Sequence, residues 1–286
     1  MALLAQYTQD KADKEKIESL SVADISSKHL SVLDLLQEYQ SCVLPFGDYL
    51  AMLPPLRLRQ YSVSSSPLAN PSTLTLTFSV LDVPSLANQT KRYRGTASTY
   101  LSELQKGDRI CVTIRQSTKA FHLPQDVENI PVIMVCAGTG LAPFRAFVME
   151  RALQIKAGRK LAPALLFVGC RYPDKDLLYK DEFAEWQKAG AVDVRYAFSR
   201  QQEASEGCRY VQDRLWKDRA EATELWDAGA RFFVCGSGKV GEEVGEVCRR
   251  TYMERVKEMG KSKTEEEVRE WWEGVKEERF ASDVFD

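Results

Sequence analysis

The sequence predicts a mixed fold: an α/β half built on a parallel sheet with helices on both faces, preceded by a smaller β-rich half. Three observations point there. From about residue 126, five apolar runs alternate with helical patterns, the mark of successive βα units. Those runs are apolar throughout rather than alternating, as strands buried on both faces are. Between residues 57 and 123 the composition turns to hydroxyls and β-branched residues in alternation, which favours strands. At 286 residues the chain can hold two domains of ordinary size.

The first 56 residues read as mostly helical. Val32, Leu35, Leu36 and Tyr39 share one face of a helix that Ser31 can cap. A second short helix follows Pro45 and stops near Leu53, because Pro54–Pro55 cannot continue it. Residues 61–65, 73–80 and 110–114 read as strands, and 96–104 as a short helix that ends at Lys106-Gly107-Asp108. The domain boundary falls near 123–130, dividing the chain into 1–125 and 126–286. Beyond it, strands are expected at 131–136, 164–168, 193–197, 231–235 and 279–285. Helices are expected at 143–157, 179–189, 210–218, 239–258 and 264–278, with Thr264 and Glu267 forming a capping box.

Composition narrows the chemistry. Lys and Arg number 39 against 41 Asp and Glu, so there is no basic face of the kind nucleic-acid binding requires. No apolar run reaches the ~18 residues of a membrane helix, and the apolar start is too short for a signal-peptide core. Two histidines, His29 and His122, leave little for a metal site. The seven cysteines are odd in number and form no C-x-x-C pair. Reduced thiols and a cytoplasmic location are therefore expected, with no structural zinc.

Four segments can carry chemistry. In 130–145 an apolar strand runs into Gly138-Thr139-Gly140, with Pro143 in the first helical turn. Such a turn brings backbone N–H groups up to a phosphate, or is simply a tight turn. In 57–67, Arg59, Gln60, Tyr61, Ser62 and Ser64 set a guanidinium, a ring and hydroxyls close together. They can grip a phosphate and a planar ring, or form a Ser-rich edge strand. In 232–238 an apolar strand ends at Cys235 and Gly236, where ligands collect in open parallel sheets, although a buried inert thiol is equally ordinary there. At the terminus, Asp283 and Phe285 follow a strand; Phe285 either covers a ligand or fills a core.

Together these segments resemble the flavin reductases of the ferredoxin–NADP reductase superfamily. The match is best to the C-terminal part of diflavin reductases such as NADPH–cytochrome P-450 reductase and the fused, self-sufficient P-450 monooxygenases. The resemblance runs from about Leu30 to Asp286. It implies a partial antiparallel FAD-binding barrel with a helical insert, followed by a five-stranded parallel NADP-binding sheet. Arg59, Gln60, Tyr61 and Ser62 look like the FAD motif, and Gly95, Thr96, Ala97 and Ser98 like its pyrophosphate segment. Gly138, Thr139, Gly140 and Pro143 look like the NADPH loop. Ser199, Arg200, Arg209, Tyr210 and Gln212 look like the adenosine-phosphate pocket.

Cys235, Gly236, Asp283 and Phe285 look like the family's hydride-transfer ends. Ser62, Cys235 and Asp283 would be the catalytic side chains, and Phe285 the lid over the flavin. The implied activity is hydride transfer from NADPH to FAD. Electrons would then pass to an FMN domain or a heme protein such as cytochrome P-450. A sulfite-reductase-type flavoprotein, or an N-terminally truncated fragment that does not retain FAD, shares these motifs. Phe285 stands where this branch commonly has Trp, Cys208 where it often has Lys, and Ser237 where it has an acid.

Overall fold

The computed structural model describes residues 1–115 and 121–285. They form two compact units: Met1–Gln60 with Ser79–Ile110, and Tyr61–Phe78 with Cys111–Asp286.

The first unit opens with five short helices: α1 (Ala2–Gln6), α2 (Lys11–Ser19), α3 (Val22–Lys28), α4 (Val32–Glu38) and α5 (Phe46–Met52). Ser31 caps α4 as its sequence suggests. Its hydroxyl accepts from the Asp34 N–H at 3.1 Å while the Asp34 carboxylate accepts from the Ser31 N–H at 2.9 Å. Leu35 and Tyr39 then turn inward against Leu4, Ala5 and Ile17. β1 (Asp82–Pro84) and β2 (Arg92–Arg94) pair antiparallel, and α6 (Thr96–Glu103) follows. The two strands were not expected, because three residues carry no readable period.

In the second unit β3 (Val132–Ala137), β4 (Ala164–Cys170), β5 (Asp193–Phe198), β6 (Arg231–Ser237) and β7 (Phe280–Phe285) form one sheet. Its order is β5-β4-β3-β6-β7, and every pair is parallel. α7 (Leu141–Lys156) and α8 (Lys180–Lys188) pack on one face, and α9 (Val211–Lys217), α10 (Arg219–Asp227) and α11 (Gly238–Glu258) on the other. α12 (Glu265–Glu278) precedes β7 behind the expected Thr264–Glu267 capping box.

The continuous apolar runs follow from this burial. In β3, Val132, Met134 and Cys136 belong to one core, and Ile133 and Val135 to the other. Phe144, Phe167 and Phe233 are fully buried, each worth on the order of 1.5–3 kcal/mol. α10 was missed as a separate helix because it restarts at once after Asp218, with no loop between.

Three expected strands need correction. Residues 61–65 and 73–80 meet antiparallel, but only through an isolated bridge at Val63–Leu76 and a Ser64 N–H donating to the Thr75 carbonyl at 2.8 Å. No ladder forms. Residues 110–114 form no strand, and Val112 and Ile114 are exposed. β-branched composition makes a segment fit a sheet, but a strand exists only where a neighbour completes its hydrogen bonds.

Candidate functional site

A parallel sheet whose order reverses leaves a crevice at the carboxyl ends of the strands flanking the reversal. Here β3, β4 and β5 step away to one side and β6 and β7 to the other, so the crevice opens between β3 and β6. Gly138–Gly140 forms a single 3-10 turn there and leads directly into α7. Gly138 has φ 57°, in the left-handed region. Gly140 is required by space instead, since a Cβ on it would lie 2.2 Å from the Cys235 carbonyl oxygen. Pro143 sits in the first turn of α7, as expected, and no side chain caps that helix. The Leu141 N–H already donates to the carbonyls of Gly138 and Thr139, so the open N–H end of the combined helix is the Gly138–Gly140 turn itself, at the positive dipole end.

Cys235 and Asp283 are register partners on β6 and β7. Ser62 donates from Oγ to Asp283 Oδ2 at 2.7 Å. Residues far apart in sequence thus meet on one edge, within one compact unit. Cys235 is fully buried. Burial first, and then the charge of Asp283, push its thiol far above the usual range. It is a neutral thiol at any physiological pH, and no nucleophile. Gly236 follows it, and Phe285, 45% exposed, pairs in register with Ser237 at the same edge.

Native-state titration with a disulfide reagent checks this burial. Exposed Cys111 should react promptly, while Cys136, Cys208 and Cys235, all buried, should wait for denaturant. Prompt modification of Cys235 would contradict the packing described.

The carboxyl ends of β4 and β5 carry the next group. The Ser199 and Arg200 N–H groups donate to the carbonyls of Cys170 and Arg171 at 2.9 and 3.0 Å. The loop beyond is pinned by Ser205, whose Oγ accepts from the Phe198 N–H and donates to the Cys208 carbonyl. Arg200, Arg209 and Tyr210 are exposed, and the Arg209 guanidinium lies over the Tyr210 ring at 5.1 Å. Neither Arg200 nor Arg209 is ion-paired among the described residues. Cys208 is buried, while the adjacent Arg209 side chain is exposed. Gln212 donates to Glu243 at 2.6 Å.

In the first unit, Gly95 precedes α6, which also lacks a side-chain cap. A Cβ on Gly95 would lie 2.7 Å from Ser98 Oγ. That hydroxyl accepts from the Leu81 N–H at 3.1 Å and so fixes the turn. The N–H groups of Thr96 and Ala97 lie in the uncapped first turn. Arg59 and Gln60 are exposed, and among the described residues Arg59 donates to the carbonyl of Arg57 alone. In the second unit Tyr61 meets Phe78 edge-on at 5.8 Å.

A family profile described as an oxidoreductase NAD-binding domain matches residues 134–244, and one described as an FAD binding domain matches residues 1–100. The chain thus carries an FAD binding domain and an oxidoreductase NAD-binding domain. A bifunctional cytochrome P450/NADPH–P450 reductase from Fusarium oxysporum is 53% identical over 287 residues, 99% of this chain and 27% of the relative. A second such protein, from Acremonium egyptiacum, is 46% identical over 94% of this chain and 25% of its own length. A self-sufficient cytochrome P450 monooxygenase from Phanerodontia chrysosporium is 48% identical over 96% of this chain and 26% of its own length. The chain thus spans about a quarter of the length of these relatives.

The residues present fit the ligands of these two domains, a flavin and a nicotinamide nucleotide. The crowded, uncapped Gly138–Gly140 turn suits a nucleotide phosphate, and the uncapped start of α6 behind Gly95 suits a flavin pyrophosphate. Among the described residues no group of three or more His, Cys, Asp or Glu could hold a metal ion, and no helix is long and apolar enough to cross a membrane.

Sequence reasoning missed one component. Arg145, on α7, is 9% exposed and binds Glu182 through two hydrogen bonds of 2.8 and 2.9 Å. It also donates to the Ser64 carbonyl at 2.6 Å. The available signal was an arginine on an otherwise apolar helix face, directly after Phe144. Ser64 is itself fully buried, with its hydroxyl 3.0 Å from that of Thr75. It closes the hairpin rather than facing a ligand.

Proposed function

We propose that the chain transfers hydride from NADPH to FAD, for onward delivery of electrons one at a time to an FMN domain or a heme protein such as a cytochrome P-450. The observation that carries this reading is the convergence of Ser62, Cys235 and Asp283 at the carboxyl edge beside the Gly138–Gly140 turn. Residues 1–125 would serve the flavin and 126–286 the nucleotide, in the cytoplasm, where seven free thiols are at home.

Bound NADPH supplies the hydride and bound FAD accepts it. Gly95, Thr96, Ala97 and Ser98 would hold the flavin pyrophosphate, and Arg59, Gln60, Tyr61 and Phe285 are the further residues that the family resemblance assigns to that cofactor. Gly138, Thr139, Gly140 and Pro143 would hold the nicotinamide-side phosphates. Asp283 keeps a fixed negative charge at the edge, where positive charge develops on the donor. Ser62 orients that carboxylate through its hydroxyl, and Cys235 packs beside it as a neutral thiol. No side chain need gain or lose a proton.

The experiment is direct. The purified chain is supplied with FAD, and bleaching of the flavin band is followed after mixing with NADPH or NADH. Reduction is expected with NADPH and slower with NADH. No bleaching with bound FAD confirmed would defeat the reading.

Preference for NADPH rests on Ser199, Arg200, Arg209 and Tyr210, which supply donors to a 2'-phosphate that NADH lacks. Losing one charged contact to it costs about 1.5–3 kcal/mol, or roughly tenfold or more in affinity. Arg209→Ala should therefore weaken NADPH about tenfold and leave NADH unchanged in a calorimetric titration. Equal weakening of both would remove Arg209 from the pocket.

A further inference from the structure

Ser62, Ser64 and Ser66 lie on the segment around the Val63 bridge, with a bend at Ser65 before the turn at 67–69. All three bond to elements of the nucleotide-side unit. Ser62 donates to Asp283 on β7. The Ser64 carbonyl accepts from Arg145 on α7 at 2.6 Å. Ser66 donates from Oγ to Glu150, one turn and more along α7, at 3.2 Å. The returning segment, 73–78, is held in the same way. Thr75 Oγ1 accepts from Arg145 at 3.3 Å, and Thr77 shares a 2.7 Å hydrogen bond with the Tyr179 hydroxyl.

Arg145 is the hub of this stitching. Its Nε and Nη2 grip Glu182 on α8, its Nη1 reaches both arms of the hairpin at Ser64 and Thr75, and its plane lies 4.2 Å over the Tyr179 ring. The guanidinium uses a rigid fork to serve an acid and a carbonyl together, which a lysine cannot do. Arg151, two turns on, is a useful contrast. It is 1% exposed, yet it donates only to the carbonyls of Ala162 and Ala191, within the sheet's own surroundings.

We propose that Arg145 is a positioning residue for hydride transfer: with Glu182 it anchors the 61–78 hairpin to α7 and α8, and so fixes Ser62 on Asp283. The proposal rests on the hydride-transfer reading for its consequence, but not for the anchoring itself. The cores on both faces of the parallel sheet are apolar, so the sheet can stand while the hairpin loosens. Arg145 has no hydrogen bond to Asp283 or Cys235 among the described residues, and its effect is transmitted from Ser64 through Val63 to Ser62.

The test uses the full chain with FAD supplied, and the variants Arg145→Met, Arg145→Lys and Glu182→Gln. Amide hydrogen exchange is read for the peptide covering 61–78 and for those covering β3, β4 and β6. For Arg145→Met, exchange in 61–78 should rise tenfold or more while the sheet peptides keep their protection. Affinity for 2',5'-ADP should stay within twofold, and flavin reduction by NADPH should slow tenfold or more. Arg145→Lys should recover part of both losses. Adding Arg145→Met to Ser62→Ala should slow reduction little further, since both variants break one chain of contacts.

Unchanged exchange in 61–78 overturns the anchoring, and lost protection across the sheet makes Arg145 an ordinary folding residue. A loosened hairpin with unchanged reduction, or full additivity with Ser62→Ala, overturns the positioning role. Should Arg145→Met not fold, Glu182→Gln, which removes one charge and keeps the side-chain shape, decides by the same readings. Failure of the hydride reading shows separately, as unaltered reduction in Asp283→Asn or none in the parent, and leaves the exchange result standing.

Discussion

Asp283→Asn should slow flavin reduction by NADPH about a hundredfold or more and leave nucleotide affinity within about twofold. The substitution removes a charge and little else. An asparagine carbonyl oxygen can still accept from Ser62 Oγ, which donates to Asp283 at 2.7 Å, so the hairpin stays in place. What disappears is fixed negative charge where positive charge develops only as hydride departs. An interaction present only in the transition state changes rate and not ground-state binding. Removing a single preorganised electrostatic contact of this kind costs roughly 10²–10³ in rate. Stopped-flow reduction with NADPH, beside a titration with NADP⁺, separates the two quantities. A fall in affinity that matches the fall in rate would make Asp283 a binding residue. An unchanged rate with FAD in place would remove it from the mechanism.

Ser62→Ala should act in the same direction but less, because the carboxylate keeps its charge and loses only its orientation. Cys235 differs from both. Its thiol is held neutral by burial and by the neighbouring carboxylate, so the rate should show no titration attributable to it across the physiological range. The sign is fixed by the cause: a pKa raised far above its usual value keeps the proton on throughout the physiological range.

The sheet was legible because its physics is local. A strand buried on both faces must be apolar at every position, and Val132–Cys136 and Phe232–Cys235 are. The helices between them carry capping residues and stops, such as Thr264 with Glu267, that act within a few residues. The β-rich half was harder because its structure depends on partners. Residues 110–114 have the composition of a strand and none of its pairing, while β1 and β2 pair with three residues each and no pattern. Of the site, Gly138–Gly140 and Cys235–Gly236 could be read from strand–turn–helix context. Ser62 and Asp283 were each named from resemblance, but their contact, which spans 221 positions, was not read, since no local rule joins them. Arg145 stayed hidden because a buried arginine is legible only from its partners, and Glu182, Ser64 and Thr75 lie 37, 81 and 70 positions away.

The two glycines of the nucleotide turn should respond differently to the smallest possible change, because they are glycines for different reasons. Gly138 has φ 57° with nothing within 4 Å of a built Cβ. Its constraint is backbone conformation alone, at roughly 1–2 kcal/mol for an ordinary residue and less for asparagine. Gly138→Asn should therefore keep the fold and lose little nucleotide affinity. At Gly140 a Cβ would sit 2.2 Å from the Cys235 carbonyl oxygen and 2.7 Å from its carbonyl carbon. Those are backbone atoms of β6, a central strand paired on both sides, so they cannot turn aside as a side chain could. Gly140→Ala must instead push the start of α7 off the end of β6, opening the crevice where phosphate would meet the helix. Overpacking of this kind costs about 1–3 kcal/mol in stability. The displaced N–H groups should cost about a hundredfold in affinity for NADP⁺, equivalent to about 2.7 kcal/mol. Thermal unfolding and a 2',5'-ADP titration on both variants give the comparison. Equal losses at the two positions, or a Gly140→Ala protein that binds as the parent does, would show that the close approach to Cys235 does not shape the nucleotide site.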